Sequence, residues 1–144
     1  MPLSEDWTAL NAKIDQMTPA GNTNVTIGLM WGWHSLTPNE PLAQGAAPAP
    51  DRDKVVVVLT DGTNTQNRWW TSESQIDART ALACTNAKAA NIKIYTVRVI
   101  DGNAALLKNC ATKPSMYYEV SQASQLNAVF SSIAQNLANL RISK

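Results

Sequence analysis

Lys54-Val55-Val56-Val57-Val58-Leu59-Thr60-Asp61-Gly62-Thr63-Asn64 decides how this chain is read. Val55 to Leu59 is an unbroken apolar run made mostly of β-branched residues, the pattern of a strand covered on both faces. It halts at Thr60-Asp61-Gly62, a polar turn holding a hydroxyl, a carboxylate and a residue free to take positive φ. In open parallel sheets, ligands gather outside the carboxyl ends of the strands, so Asp61 stands where a site would form. A lone Asp-Gly more often only shapes its turn. A second polar loop upstream raises the functional reading.

Downstream of that turn, Thr63 to Ser74 is polar except for Trp69-Trp70. The two indoles are read as folding back over the core as a lid, with partner contact as the alternative. Ser74 to Ala90 has helical spacing, with Ile76, Arg79, Leu82, Ala83, Ala87 and Ala90 on the repeating positions and Asn91 as the stop. Ile92 to Val99 alternates apolar and polar residues, which predicts a second strand less completely covered than the first. It ends at Asp101-Gly102-Asn103, another acidic turn expected on the same rim. Ala104 to Ala111 reads as a short helix and Met116 to Val120 as a third strand. Ser124 caps a final helix with Leu126, Val129, Phe130, Ile133, Leu137 and Leu140 on one stripe.

Upstream, Ser4-Glu5-Asp6 supplies a cap and acids for a first helix, and Trp7, Leu10, Ile14 and Met17 define a face expected to be buried. Pro19 and Gly21 end it. Gly21-Asn22-Thr23-Asn24 is a polar loop feeding a helix from Val25 to Leu36, on which Val25, Gly28, Leu29, Gly32 and Leu36 share a close-packing side. Trp31 and Trp33 cannot share that side, so at least one should pack beneath the proline-rich connection from Thr37 to Asp53.

This order implies an α/β domain: three layers, αβα, on a mainly parallel sheet joined by right-handed crossovers. The 144 residues suit one domain, 1–144. Twelve basic and eleven acidic side chains nearly cancel, which leaves no basic field for a nucleic acid and no cluster for anionic lipid. The apolar run is far shorter than the ~20 residues of a membrane span, and no signal-peptide pattern precedes the body. Gly-x-Ser-x-Gly, Gly-x-x-x-x-Gly-Lys and Gly-x-Gly-x-x-Gly are all absent, and His34 lies on a helix remote from any strand end. Hydrolase and nucleotide-binding readings therefore lack their residues. Cys84 and Cys110 could be two buried thiols or one disulfide. The Val55–Leu59 strand should sit mid-sheet, yet only one side has an obvious neighbour. Either part of the domain is missing or another chain supplies it, for instance a second copy pairing along strand 54–60.

The combination resembles the von Willebrand factor A domain, whose sheet runs 3-2-1-4-5-6 with a divalent cation at the switch point. Gly21-Asn22-Thr23 is similar to the family's Gly-x-Thr loop and Thr60-Asp61-Gly62 to its Thr-Asp-Gly, while its Asp-x-Ser-x-Ser has no counterpart here. More narrowly, several stretches look like the carboxyl-terminal region of Tad-like (tight adherence) pilus-assembly proteins of bacteria. They are Leu3 to Gly32, Ala78-Arg79-Thr80 with Cys84-Thr85-Asn86, Ile92 to Thr96, Lys108-Asn109-Cys110-Ala111-Thr112 and Leu140-Arg141-Ile142-Ser143. The resemblance implies strands 4, 5 and 6 of a von Willebrand factor A-like binding and assembly domain, truncated upstream, that is non-enzymatic and engages a pilus or envelope protein. It assigns Thr23 and Asp61 to an incomplete metal-ion-dependent adhesion site. Mg²⁺ or another divalent cation belongs to the intact domain, and this chain by itself should hold none tightly. Asn22, Asn24, Thr63, Asn64, Trp69, Trp70 and Asp101 are expected on the ligand-facing rim. The implied location is extracytoplasmic, in a membrane-anchored parent, which favours a Cys84–Cys110 bridge.

Overall fold

The computed structural model describes residues 3–142, with side chains described through residue 138. In chain order the elements are α1 (Trp7–Asp15), α2 (Val25–Ser35), β1 (Lys54–Thr60), α3 (Glu73–Ala89), β2 (Ile92–Val99), α4 (Ala104–Cys110), β3 (Tyr117–Val120) and α5 (Leu126–Ile142). Short 3-10 turns at Pro114–Met116 and Ala123–Gln125 precede β3 and α5. The sheet is parallel throughout, in the order β1-β2-β3, with Lys54 opposite Ile92 and Thr96 opposite Tyr117. All three strands therefore deliver their carboxyl ends to one rim.

Two clusters fill the space between the layers. One packs Leu29 of α2 and Ala83, Cys84 and Ala87 of α3 against Val56, Val58, Ile92 and Ile94. The other sets Val129 and Ile133 of α5 against Tyr95, Val97, Val99 and Val120 on the opposite face. These are the three layers the sequence predicts.

The cover over the sheet departs from expectation. β1 is an edge strand, and Val57 and Leu59 remain 38% and 43% exposed on the face away from α2. β2, expected to be the less covered strand, is the central one, and only Lys93 and Arg98 along it escape full burial. Its polar Thr96 is tolerated inside because its hydroxyl donates to Leu107 O at 2.9 Å. A continuous apolar run thus marks a strand built for two covered faces, whereas alternation in β2 reflects side chains that reach specific partners.

The helical faces shift in the same way. α1 buries no residue, and Trp7 on its apolar stripe is 75% exposed, contrary to the expected packed face. Its cap is Asp6, whose Oδ1 accepts from Thr8 N and Ala9 N at 3.0 Å, rather than Ser4. On α3 the inward face carries Ile76, Thr80, Ala83, Cys84 and Ala87, while Leu82 and Arg79 point outward. Gly32 of α2 does approach β1, since a Cβ there would stand 3.4 Å from Val56, but Gly28 faces open space. Trp33 packs against the core while Trp31 is exposed. Gln122 closes the capping box ahead of α5, displacing Ser124 from that role, and Phe130 is half exposed. Leu140, expected on the α5 stripe, lies outside the described side chains, and the Leu140–Ser143 ending is outside them too.

Candidate functional site

The rim is built from three loops: 21–24 before α2, 61–72 after β1 and 100–103 after β2. Asn64 joins them. It is 3% exposed; its Oδ1 accepts from Val25 N at 2.8 Å, and its Nδ2 donates to Asp77 Oδ1 at 2.7 Å and to Thr80 Oγ1 at 3.3 Å. Asp77 Oδ2 in turn accepts from Asn103 Nδ2 at 2.7 Å, and Asn103 Oδ1 caps α4 through Leu106 N. Asp77 on α3 is therefore shared by the loops after β1 and β2. Thr26 and Thr80 share a further hydrogen bond of 2.8 Å between α2 and α3.

The upstream loop is tied to the same frame. Thr23 N donates to Thr65 Oγ1 at 2.9 Å, Thr65 N donates to Thr23 O at 3.0 Å, and Asn22 Nδ2 donates to Gln66 Oε1 at 2.9 Å. Asn24 caps α2, its Oδ1 accepting from Ile27 N. At Gly102 (φ +119°) an added Cβ would stand 3.1 Å from Gly62 O, so the two rim turns touch through backbone. Among the described residues no buried side-chain nitrogen or oxygen lacks a partner.

Thr23 and Asp61 open onto one groove of about 480 Å³ that runs between α2 and the free edge of β1, past Leu29, Val57 and Leu59. Asp101 does not join them. Its Oδ1 accepts from Gly102 N at 2.7 Å and faces the Arg98 guanidinium at 3.9 Å. Asn64, expected to face a ligand, is instead the buried hub. Thr63 is half-buried on the loop beside it. Trp69 is 65% exposed and Trp70 half-buried, so the pair does not close over the core as a lid. They stack with Arg79 of α3 instead, its guanidinium carbon 5.1 and 4.7 Å from the two ring centroids.

A hard divalent cation takes about six oxygens, several of them anionic or supplied by a shaped cage. Thr23 and Asp61 offer one hydroxyl and one carboxylate, and among the described residues no cluster of three His, Cys, Asp or Glu could hold a metal. The residues present do not by themselves fit such an ion.

At the far end of the crossovers, Cys84 on α3 and Cys110 on α4 form a disulfide with their Cα atoms 5.2 Å apart. The 77–103 hydrogen bond and the 84–110 bridge sit at matching offsets along both helices. α3 and α4 are thus fastened at two points, two helical turns apart. Asp77, Thr80, Thr65 and Gln66 were missed in the sequence because their roles are pairings across loops. Nothing in local periodicity signals such a pairing.

A parallel α/β sheet with helices on both faces and polar turns on its carboxyl rim defines the class to which this molecule belongs. The von Willebrand factor type A domain family profile matches residues 4–132, and the chain belongs to that family. Among solved structures, the fold is similar to proximal thread matrix protein 1 from the mussel byssus (TM-score 0.63, 20% identity, 88% of this chain and 28% of that one). Another structure of that mussel protein carries a zinc-occupied MIDAS motif (TM-score 0.62, 20% identity over the same shares). The pilus adhesin SpaC from Lactobacillus rhamnosus GG is also similar (TM-score 0.68, 16% identity, 90% of this chain and 20% of that one). The chain therefore spans less than a third of the length of each. No curated protein matches it.

Proposed function

We propose that this chain is a non-enzymatic protein-binding and assembly module of the bacterial envelope. In this reading it acts in pilus assembly or adhesion, as the Tad-like resemblance implies, and engages its partner through the rim. The observation that carries the reading is the Asn64–Asp77–Asn103 frame, which fixes three loops as one surface while Thr23 and Asp61 open on a common groove. A preorganised polar rim spends little ordering entropy on binding. Thr23 and Asp61 are then the remnant of a metal-ion-dependent adhesion site, with the oxygens for a tight Mg²⁺ shell to come from elsewhere. β1, β2 and β3 correspond in this reading to strands 4, 5 and 6 of the family's sheet. An extracytoplasmic location is supported by the Cys84–Cys110 bridge, since disulfides persist in oxidising compartments. His34 lies in the last turn of α2, stacked on Trp33, which supports a role other than catalysis.

The test is capture from the solubilised envelope of the producing bacterium on the immobilised chain. Retention of a pilus or envelope component, reduced by the Thr23→Val/Asp61→Ala pair, is the expected result. No specific capture, or capture indifferent to that pair, overturns the reading.

The free edge of β1 favours a second reading, self-association. The exposed Val57 and Leu59, together with the bare apolar stripe of α1, are surfaces a second copy or an upstream part of the domain would cover. Light scattering of the chain and of Val57→Lys separates the cases. A dimer that becomes monomeric supports edge pairing, and a monomer in both excludes it.

A further inference from the structure

The loop between β1 and α3 carries a surface that neither the groove nor the metal remnant uses. Asn67 Oδ1 accepts from both Trp69 N and Trp70 N at 2.8 Å, and Asn67 N donates to Trp70 O at 2.8 Å. This closed turn sets the two indoles in a fixed relation, with ring centroids 6.1 Å apart and planes tilted by 53°. The Arg79 guanidinium lies over both rings, and Arg68 stands over Trp69 at 5.9 Å. Trp69, Arg68 and Arg79 are all exposed.

Two features make this more than an incidental stack. First, the described ion pairs are Lys93–Asp53, Arg98–Asp101 and Arg98–Glu119, so neither Arg68 nor Arg79 has a carboxylate within ion-pair distance among the described residues. Stacking uses the faces of a guanidinium and leaves its N–H edges unspent, and those edges match a carboxylate in bidentate geometry. Second, a rigid exposed tryptophan flanked by arginines has the composition in which interface hot spots are richest. The ring faces already carry guanidinium groups, so a sugar or nucleobase seeking to stack there would have to displace them. The chain's net charge of +1 provides no wider basic field for a polyanion.

We propose that Arg68, Trp69 and Arg79 form a docking platform for an acidic segment of a protein partner. The partner's carboxylates would accept from the guanidinium edges while its chain covers the open edge of Trp69. The proposal rests on the protein-binding reading above and gives that partner a chemistry. The platform adjoins the rim, because Gln66 of the same loop is held by Asn22. It needs no metal.

The probe is a fluorescein-labelled, amidated peptide of alternating Asp and Gly, titrated with the full chain in EDTA and followed by anisotropy. Same-length Ser-Gly and Lys-Gly peptides and a short oligonucleotide are the comparisons. The expected result is saturable binding of the acidic peptide alone, weakened by salt. Arg79→Gln and Trp69→Ala should each lower affinity about tenfold, and Asp61→Asn should not. Arg68→Gln leaves the Arg79 stack intact and should still weaken binding, which guards against a simple loss of loop structure. Equal binding of the Ser-Gly peptide, tighter binding of the oligonucleotide, or no effect of all three platform variants overturns the proposal. The envelope capture separates the two failures. Capture that survives Arg79→Gln but not the Thr23/Asp61 pair removes the platform and keeps the rim. Absence of any capture removes the underlying reading itself.

Discussion

Breaking the Cys84–Cys110 bridge should cost this domain a large share of its stability, and the cost follows from chain length. The two cysteines are 26 residues apart, so in the chain-entropy model cross-linking stabilises by about 3.5 kcal/mol at 25 °C. For a chain of this size such a loss corresponds to a melting temperature about 10 °C lower. Reduction is a cleaner perturbation than Cys→Ala, because both sulfurs are buried and truncation would add a cavity penalty. The assay is thermal unfolding by circular dichroism with and without reductant, with alkylation and mass measurement to count thiols in each sample. The reduced domain should still fold, because the Asp77–Asn103 hydrogen bond and Lys88 Nζ donating to Asn109 O at 2.7 Å continue to join α3 and α4. Two results refute the reasoning. One is alkylation of both cysteines in denatured, unreduced protein. The other is a fully reduced chain that melts within a degree or two of the oxidised one.

Asn64→Ala should destabilise the chain by about 3 kcal/mol in urea unfolding, because it removes the partner of the half-buried Val25 N–H and of Asp77 Oδ1 and opens a space where a buried amide stood, while Thr80 keeps its bonds to Thr26 and Ile76 O. Ile100 has φ +64° in the turn after β2, a conformation costly for a β-branched residue, so Ile100→Gly should raise stability by about 1 kcal/mol in the same assay. Gly102→Ala should lower it by about 1–3 kcal/mol, since φ is +119° and the new methyl meets Gly62 O. Burial first, then the hydrogen bond to Glu119 and its charge, push the Tyr117 phenol from 10.0 up to about 12. A raised folded pKa means that its stabilisation is complete below pH 10 and is lost as pH climbs from 10 through about 12. Tyr117→Phe should flatten that part of the stability–pH curve. The Glu119 carboxyl is held below its ordinary range, chiefly by the Tyr117 hydroxyl and also by Arg98, so its contribution is present above the ordinary carboxylate range and fades as pH falls through its folded pKa.

Residue periodicity located nearly every element, because the breaks that end them are local chemistry. Asn91 stops α3 with φ +59°, Asn24 and Asn103 cap the helices after two of the rim loops, and Thr60-Asp61-Gly62 ends β1 where it was expected to end. Coverage was much less legible. The apolar run of β1 records what the strand is suited to meet, not what stands beside it, and α1 shows the same with Trp7, Ile14 and Met17 in the open. The candidate site was half legible. Asp61 could be placed on the rim from turn chemistry and Thr23 beside it only through the family resemblance, but the frame under them could not be placed by either. Asn64 reaches Val25 across 39 residues and Asp77 across 13, and such pairings leave no periodic trace. The lid expected of Trp69 and Trp70 does not form because Arg79, counted only among the repeating positions of its helix, points outward and lies over both rings.

The outward course of Arg79 points to how the molecule divides its surfaces. α3 faces the sheet through Ile76, Ala83 and Ala87, the rim through Asp77 and Thr80, and the solvent through Arg79. The disulfide and the Asp77–Asn103 bond fix α3 against α4 at both ends, so the rim loops hang from a clamp that does not involve β1's free edge or α1. The two exposed regions are therefore mechanically separable. Covering Val57 and Leu59, for instance by a second copy, can proceed without rearranging the loops that hold Thr23, Asp61 and the tryptophan pair. A variant that blocks edge pairing, Val57→Lys, should for this reason leave acidic-peptide binding at the Arg68–Trp69–Arg79 surface unchanged. If it abolished that binding while the fold persisted, the rim would have to be assembled across two chains, and the clamp would not be its scaffold.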